Sequence, residues 1–206
     1  MTTSVKEFNI IICGVGGQGI ILMSELLGHA AVQDNLGVHG SEVLGMAQRG
    51  GSVFSNIRIG EKIYAPMTPQ GKCDIMVAVE PSEALRYIKE LSDSSLVVIN
   101  TRDIKPFTVA LGQSGYPEMD VIIEKVKMIT SNIITLDAVT LAQEAGNILT
   151  TNTVMLGALF GSGGVPVKLE TIKEVIGKRV PPKAIEANLK AFDLGYEVVV
   201  NYLKSK

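Results

Sequence analysis

The sequence contains few cysteines and histidines, the residues that most often hold metal ions and iron–sulfur clusters. Of its 206 residues only Cys13 and Cys73 are cysteines, and no C-x-x-C pair occurs. Four-cysteine iron–sulfur and zinc sites are built from such closely spaced cysteines, so this chain cannot supply one by itself. Its two histidines, His29 and His39, lack the spacing of metal ligands. We therefore predict no metal site in the chain and interpret Cys13 as a small buried residue at the end of a strand.

Aromatic rings and clustered positive charge are also scarce. The chain has no tryptophan, 5% aromatic residues, a formal net charge of −2 and no block of lysines and arginines. This excludes the usual footprint of a protein that binds nucleic acid or an anionic membrane surface. No apolar run approaches the roughly 18 residues of a membrane span, and the first residues lack the layout of a signal peptide. We expect a cytoplasmic protein with neither a nucleic-acid nor a membrane partner.

Apolar residues, by contrast, are abundant. They make up 46% of the chain, against 19% charged residues. A chain of this length is long enough for one domain with a substantial core, which we place at residues 1–206. So apolar a composition indicates either a sheet covered on both faces or a surface buried against another chain. A homodimer of the isolated chain is one such arrangement.

A strand, a glycine turn and a helix begin the chain. The apolar run from Phe8 to Cys13 is typical of a strand buried on both faces. In the GVGGQG segment that follows, Gly14, Gly16 and Gly19 fit G-x-G-x-x-G, and apolar residues then recur at helical spacing from Ile20 to Gln33. A helix that begins at such a turn offers its first N–H groups and its positive dipole end to an anion such as a phosphate. Alternatively, the glycines only permit a tight turn and close packing of helix on strand.

A nicotinamide dinucleotide would call for an acidic residue about 20 residues further on, at the end of the second strand. Glu42 is the acidic residue of the segment Gly37 to Val43, which we interpret as a loop, and Asp34 comes too early, at the helix end. This weakens the nicotinamide interpretation but not phosphate binding in general. A stand-alone NAD-dependent oxidoreductase of Rossmann type and a nucleotide-binding module without chemistry are kept as alternative functions.

The rest of the sequence predicts an α/β fold. Four more runs predict strands: 53–59, 74–80, 95–100 and 132–136. The first of these alternates apolar with polar residues, which predicts a half-buried strand, and 63–69 is interpreted as a short edge strand and loop. Val154 to Phe160 predicts a buried helix, and two more helices follow at 169–176 and 182–202. We predict a three-layer α/β/α fold with a mostly parallel, Rossmann-like sheet and C-terminal helices packed across it.

Two further stretches contain candidate functional residues. In Met46-Ala47-Gln48-Arg49-Gly50-Gly51, an arginine beside flexible backbone can clamp an anion or offer its guanidinium to a partner carboxylate. A solvated arginine in a turn is the alternative. Glu80 ends a predicted strand, at the edge where open α/β sheets bind ligands, and could equally cap the next helix.

Three segments together resemble a known family: IICGVGGQGI, SEVLGMAQRGGSVFSNIRIG from Ser41 to Gly60, and TTNTVMLGALFG from Thr150 to Gly161. They resemble the gamma-type chain of the 2-oxoacid:ferredoxin oxidoreductases, over nearly the whole sequence. The M-A-Q-R-G-G segment most resembles the indolepyruvate branch, which favours indolepyruvate or another aryl pyruvate as the 2-oxo acid. The resemblance implies an enzyme that oxidatively decarboxylates a 2-oxo acid with coenzyme A to acyl-CoA, carbon dioxide and reduced ferredoxin.

The resemblance also implies that the cofactors and the catalytic residues belong to other subunits. Larger partner subunits would hold thiamine diphosphate, magnesium and the iron–sulfur clusters and would deliver electrons to ferredoxin. This chain, which has no evident pair of nucleophile and base, would complete the complex without catalytic residues and could contact the phosphates of coenzyme A. The residues carried over for such contacts are Gly14, Gly16, Gly17, Gln18, Gly19, Arg49, Gly50, Gly51, Asn152 and Thr153. The motifs do not fix which of them contact a ligand and which the partner.

Overall fold

The computed structural model describes residues 6–205 and is built around one mixed sheet. The strands are β1 (Phe8–Val15), β2 (Val38–Leu44), β3 (Ser52–Ile59), β4 (Cys73–Ala78), β5 (Leu91–Asn100) and β6 (Ile133–Leu136). They form a six-stranded sheet in the order β2-β3-β1-β4-β5-β6. Pairing is parallel from β1 through β4 and β5 to β6, whereas β3 is antiparallel to both β1 and β2. The predicted mostly parallel sheet is thereby confirmed.

Helices cover both faces of this sheet. They are α1 (Ile20–Gln33), α2 (Pro81–Arg86), α3 (Phe107–Ala110), α4 (Met119–Lys127), α5 (Ala138–Glu144), α6 (Thr151–Gly161), α7 (Leu169–Arg179) and α8 (Ile185–Lys204). Helices α1 and α5 to α8 enclose one hydrophobic core, and α2 and α4 pack over a second on the opposite face. The predicted three-layer arrangement is confirmed. Within residues 6–205, no helix combines the length and the apolarity needed to cross a bilayer.

Strand β1 contributes to both cores. Ile10 and Ile12 face the core under α1, while Ile11 and Cys13 face the core under α2. This explains why the strand is a continuous apolar run rather than an alternating one. Cys13 is fully buried, as predicted. Burial raises the pKa of its thiol well above the ordinary value, so the side chain stays neutral.

Two predictions at the edge of the sheet were wrong. The segment 37–43 is not a loop, because residues 38–44 pair along their length with β3, from Val38 opposite Ile59 to Leu44 opposite Val53. Residues 63–69 form no strand. They run across the face of β3, where the Arg58 guanidinium donates to the carbonyl oxygens of Ala65 (2.6 Å) and Met67 (3.2 Å).

Strand β3 is fully rather than half buried, because its polar residues are covered as well. Asn56 and Arg58 are 0% and 6% exposed. Arg58 donates to Asn9 Oδ1 (2.9 Å) and forms an ion pair with Glu7 (2.6 Å). Hydrogen bonds from Asn9 and from Arg58 lower the pKa of Glu7. Asn56 and Arg58 are therefore polar because they pair inside the protein, and not because β3 faces solvent.

The predicted buried helix is α6, which begins three residues earlier than expected, at Thr151, and packs directly on α8. A Cβ atom on Gly157 would lie 2.0 Å from the carbonyl oxygen of Phe192. One on Gly195 would lie 2.0 Å from the carbonyl oxygen of Val154. The two helices therefore approach backbone to backbone, which only glycine at both positions allows.

We predict that Gly157→Ala or Gly195→Ala lowers the free energy of unfolding by about 2–3 kcal/mol, because the added methyl group forces the helices apart. Gly28→Ala is the matched control, since a Cβ there meets no atom within 4 Å. Replacing that glycine inside α1 should stabilise the protein by about 0.5–1 kcal/mol. Urea unfolding measures all three. A Gly157→Ala midpoint equal to that of the wild type would contradict the close contact.

Candidate functional site

The chain reverses its winding direction between two neighbouring parallel strands. After β1 it continues into α1 on one face of the sheet, and after β4 into α2 on the other. The crevice outside the carboxyl ends of β1 and β4 is therefore a topological switch point, where open α/β sheets bind ligands. The glycine turn, residues 14–19, and Glu80 border this crevice. Topology thus places the turn at the position that favours a ligand.

The glycine turn and the M-A-Q-R-G-G loop are hydrogen-bonded to each other. The Gly16 N–H donates to the Gly51 carbonyl (2.8 Å), and the Gly50 N–H donates to the Gly16 carbonyl (3.1 Å). A Cβ on Gly16 would lie 2.3 Å from the carbonyl oxygen of Gln48. Gly16 is therefore needed for the packing of the two loops, and its N–H is not available to an anion.

Gln18 ties the turn to the end of β4. Its Oε1 accepts a hydrogen bond from the Val15 N–H (2.8 Å), and its Nε2 donates to the Val79 carbonyl (3.2 Å). A Cβ on Gly14 would come within 2.6 Å of the same Oε1. Both ends of the Gln18 amide are thus used inside the protein, which supports a positioning role for this residue.

Two helices begin side by side at the turn. Gly19 precedes α1 with a φ of 74°, and neither α1 nor α6 has a side-chain cap at its N-terminus. A Cβ on Gly19 would lie 2.5 Å from Asn152 Nδ2, in the first turn of α6. The uncapped start of α1 therefore lies against the first turn of α6. Helix α6 itself continues directly from a 3-10 turn, Ile148–Thr150, whose start is capped by the Asn147 side chain accepting from the Leu149 N–H (3.0 Å).

Asn152 and Thr153 differ in their surroundings. Thr153 is buried, and its hydroxyl donates to Asn188 Oδ1 in α8 (2.6 Å). Asn152 is 6% exposed, and its Nδ2 makes no hydrogen bond within residues 6–205. This amide borders a cavity of about 390 Å³. Of the two, Asn152 is the residue that lines this cavity and whose Nδ2 has no hydrogen-bond partner among the described residues.

We name this space the α1–α6 cavity. Its polar lining comes from the turn, Asn152, Asn100, Arg102 and Asp103. Its apolar wall is made of Leu22, Ile104, Val139, Ile148 and Leu149. A second space, of about 550 Å³, lies across the turn, between α1 and the M-A-Q-R-G-G loop. We name it the α1–loop groove. The α1–α6 cavity combines donors for an anion with a wall for an apolar chain.

Arg49 lies apart from both spaces. Its side chain is exposed and lines neither the α1–α6 cavity nor the α1–loop groove. The glycines after it have structural roles: Gly50 has a φ of 73°, and a Cβ on Gly51 would lie 2.5 Å from the Ala47 carbonyl oxygen. The structure thus separates the arginine from the other predicted site residues, which lie around the turn.

Sequence reasoning missed Tyr116. Glu80 caps α2 by accepting from the Glu83 N–H (3.2 Å), which is the capping alternative stated above, and its other oxygen accepts from the Tyr116 hydroxyl. Burial and this hydrogen bond raise the pKa of Tyr116, so the phenol stays a protonated donor. Tyr116 anchors the segment 101–118, which covers a cavity of about 340 Å³ beside the turn. No local signal links two residues 36 positions apart.

Neither acidic residue considered for a ribose lies at the crevice. Glu42 accepts a hydrogen bond from the Ser24 hydroxyl (2.7 Å), and its strand is separated from β1 by the antiparallel β3. Asp34 accepts from the Lys168 N–H (2.7 Å) and the Thr171 hydroxyl (2.7 Å), which joins the end of α1 to α7. Neither Glu42 nor Asp34 is therefore placed to bind the ribose of a nicotinamide dinucleotide.

The fold and the turn define an α/β protein with a ligand crevice at the sheet's switch point. Residues 9–198 match the model of the family described as pyruvate ferredoxin/flavodoxin oxidoreductase. The chain belongs to this family, which confirms the resemblance read from its motifs.

The similarity to known relatives extends over nearly the whole chain. The indolepyruvate oxidoreductase subunit IorB of Pyrococcus horikoshii is 46% identical over 204 residues, 97% of this chain and 99% of that one. A pyruvate oxidoreductase subunit of Thermotoga maritima has a TM-score of 0.69 at 28% identity, covering 94% of this chain and 97% of that one. A 2-oxoglutarate:ferredoxin oxidoreductase of Magnetococcus marinus, solved with coenzyme A bound, shares the fold at 20% identity (TM-score 0.71) over 97% of this chain and 32% of its own.

We predict that Tyr116→Phe loosens the segment 101–118, because the buried Glu80 carboxylate loses a donor. Global stability should fall by about 1–3 kcal/mol, and amide hydrogen exchange should speed up in this segment. Tyr64→Phe is the control, since Tyr64 is 91% exposed. Unchanged exchange in residues 101–118 of Tyr116→Phe would show that the segment is held by other contacts.

Proposed function

We propose that this chain is the small, non-catalytic subunit of an indolepyruvate:ferredoxin oxidoreductase. Such a complex oxidatively decarboxylates a 2-oxo acid with coenzyme A and yields acyl-CoA, carbon dioxide and reduced ferredoxin. The observation that carries the proposal is the 46% identity with the Pyrococcus horikoshii subunit, which covers 97% of this chain and 99% of that one. Sequence identity over nearly the full length of both chains supports the same role in the complex. A shared nucleotide-binding motif alone would give a much shorter match.

In this proposal the redox groups belong to the partner. Cys13 and Cys73 are both buried, and burial raises the pKa of each thiol, so neither is presented as a thiolate ligand. Within residues 6–205, no group of three or more histidine, cysteine, aspartate or glutamate side chains is placed to hold a metal ion. Thiamine diphosphate, magnesium and the iron–sulfur clusters are therefore assigned to the larger subunits, which also pass electrons to ferredoxin.

We further propose that the phosphates of coenzyme A bind at the α1–α6 cavity. The uncapped N-terminus of α1 lies there, which favours negative charge. The free Nδ2 of Asn152 adds a directed donor, and the apolar wall suits the pantetheine chain. The related Magnetococcus marinus enzyme, solved with coenzyme A, supports the choice of ligand. When bound, coenzyme A supplies the thiol that accepts the acyl group.

Reconstitution tests the assignment. The chain should be co-expressed anaerobically with the large thiamine-binding chain of its own source, and reduction of a viologen dye followed with indolepyruvate and coenzyme A. We expect activity to require both chains and to be higher with aryl pyruvates than with pyruvate. A large chain that is equally active alone would contradict the proposal. An isolated chain that binds NAD or ADP tightly and no partner would instead support the stand-alone alternatives.

We predict that Asn152→Asp raises the KM for coenzyme A by about tenfold and leaves kcat nearly unchanged, because a carboxylate in place of the donor repels the phosphates. The fold should survive, since an aspartate in the first turn of a helix interacts favourably with its dipole. Asn201→Asp, at an exposed position of α8, is the control. An unchanged KM in Asn152→Asp would place coenzyme A elsewhere.

A further inference from the structure

The connection between β2 and β3 carries an exposed group of apolar side chains. We name residues 43–51 the β2–β3 tip. Val43, Leu44 and Met46 within it are 51%, 56% and 107% exposed. Val43 and Leu44 are consecutive residues of a strand, so their side chains point to opposite faces of the sheet, and Leu44 lines the α1–loop groove. Large apolar side chains exposed beside an apolar groove are typical of an interaction site.

The backbone at both ends of the tip is hydrogen-bonded to neighbouring elements. The Gly45 N–H donates to the Ser52 carbonyl (2.8 Å), and Gly50 and Gly51 bond to Gly16 of the glycine turn. The M-A-Q-R-G-G motif is therefore used in two ways. Its backbone closes against the turn, while the side chains of Met46 and Arg49 are exposed.

A groove next to the tip can receive a side chain from another protein. The α1–loop groove of about 550 Å³ has apolar walls formed by Ile20, Ile21, Leu44, Ala47 and Val53. Ile21, on the first turn of α1, is 37% exposed. The groove has room for one or two apolar side chains, which is how protein interfaces place their central anchors.

Arg49 makes this surface favour a partner with a negatively charged group. No carboxylate within residues 6–205 lies within ion-pair distance of its guanidinium. An unpaired guanidinium at the rim of an apolar patch fits a carboxylate of the partner, which it can bind bidentately. In a two-fold dimer through the same surface, Arg49 meets its own counterpart only near the axis, and like charges oppose contact there.

We infer that the β2–β3 tip and the α1–loop groove form the surface on which this chain docks to the large catalytic subunit. The large subunit would insert an apolar side chain into the groove and place a carboxylate opposite Arg49. This inference rests on the proposed function and adds to it the location and chemistry of the contact. It also separates the two parts of the predicted site: the turn and Asn152 face the ligand, and Arg49 faces the partner.

Matched charge variants test the docking surface. Met46→Glu and Arg49→Glu change the tip. Met128→Glu, at an 82% exposed methionine, and Lys127→Glu make the same kinds of change at α4. The purified chains are titrated against the purified large subunit by anaerobic calorimetry, and their melting temperatures are compared. We expect both tip variants to bind at least about tenfold more weakly, the controls to stay within about twofold, and all four to melt close to the wild type.

The outcomes separate the inference from the function on which it rests. If the tip variants bind as the wild type does and the assembled enzyme is active, the docking surface lies elsewhere and the proposed function stands. If the wild-type chain does not bind the large subunit, the proposed function fails and the docking surface with it. If light scattering shows a wild-type dimer that Met46→Glu converts to monomer, while binding of the large subunit is unchanged, a second copy covers the tip and the inference is wrong.

Discussion

The pair of hydrogen bonds between Gly16 and the loop at Gly50–Gly51 is the contact on which the arrangement of this protein's site depends. It joins the loop after β1 to the loop before β3, which lie at the same edge of the sheet because Val15 pairs with Ser52. The loops are so close that a Cβ on Gly16 would meet the carbonyl oxygen of Gln48 at 2.3 Å. This contact fixes where α1 begins, and it also sets the direction in which the β2–β3 tip projects. The proposed coenzyme A site and the proposed docking surface are thus joined by backbone hydrogen bonds.

The same contact decides which polar groups of the glycine motif remain available to a phosphate. G-x-G-x-x-G predicts a backbone that approaches a phosphate, yet Gly16 and Gln18 direct their polar groups inward, to Gly51, Val15 and Val79. The part of the turn left free for the proposed ligand is the uncapped start of α1 beside Asn152. Packing accounts for Gly16 and Gln18, and the phosphate interpretation is a proposal for the start of α1.

Much of the fold could be predicted from the sequence, because buried parallel strands and helices appear as apolar runs bounded by glycine and polar residues. Strand β2 could not, since it is exposed along most of its length and shows no period of two. The burial of Arg58 was missed because its partner Glu7 is distant in the sequence. The hydrogen bond from Tyr116 to Glu80 was missed for the same reason, because the two residues are distant in the sequence. The turn could be located from sequence, but which of its N–H groups stay free depends on contacts between loops.

The close crossing of α6 and α8 has a consequence for how the ligand space is made. No residue of α8 lines the α1–α6 cavity, yet Asn152 is held in place because α6 rests on α8 through Gly157 and Gly195 and through the bond from Thr153 to Asn188. Helix α8 follows every strand of the sheet in the chain. During synthesis the strands and the glycine turn emerge first, but the cavity acquires its shape only when the 20-residue helix α8 has left the ribosome and docked.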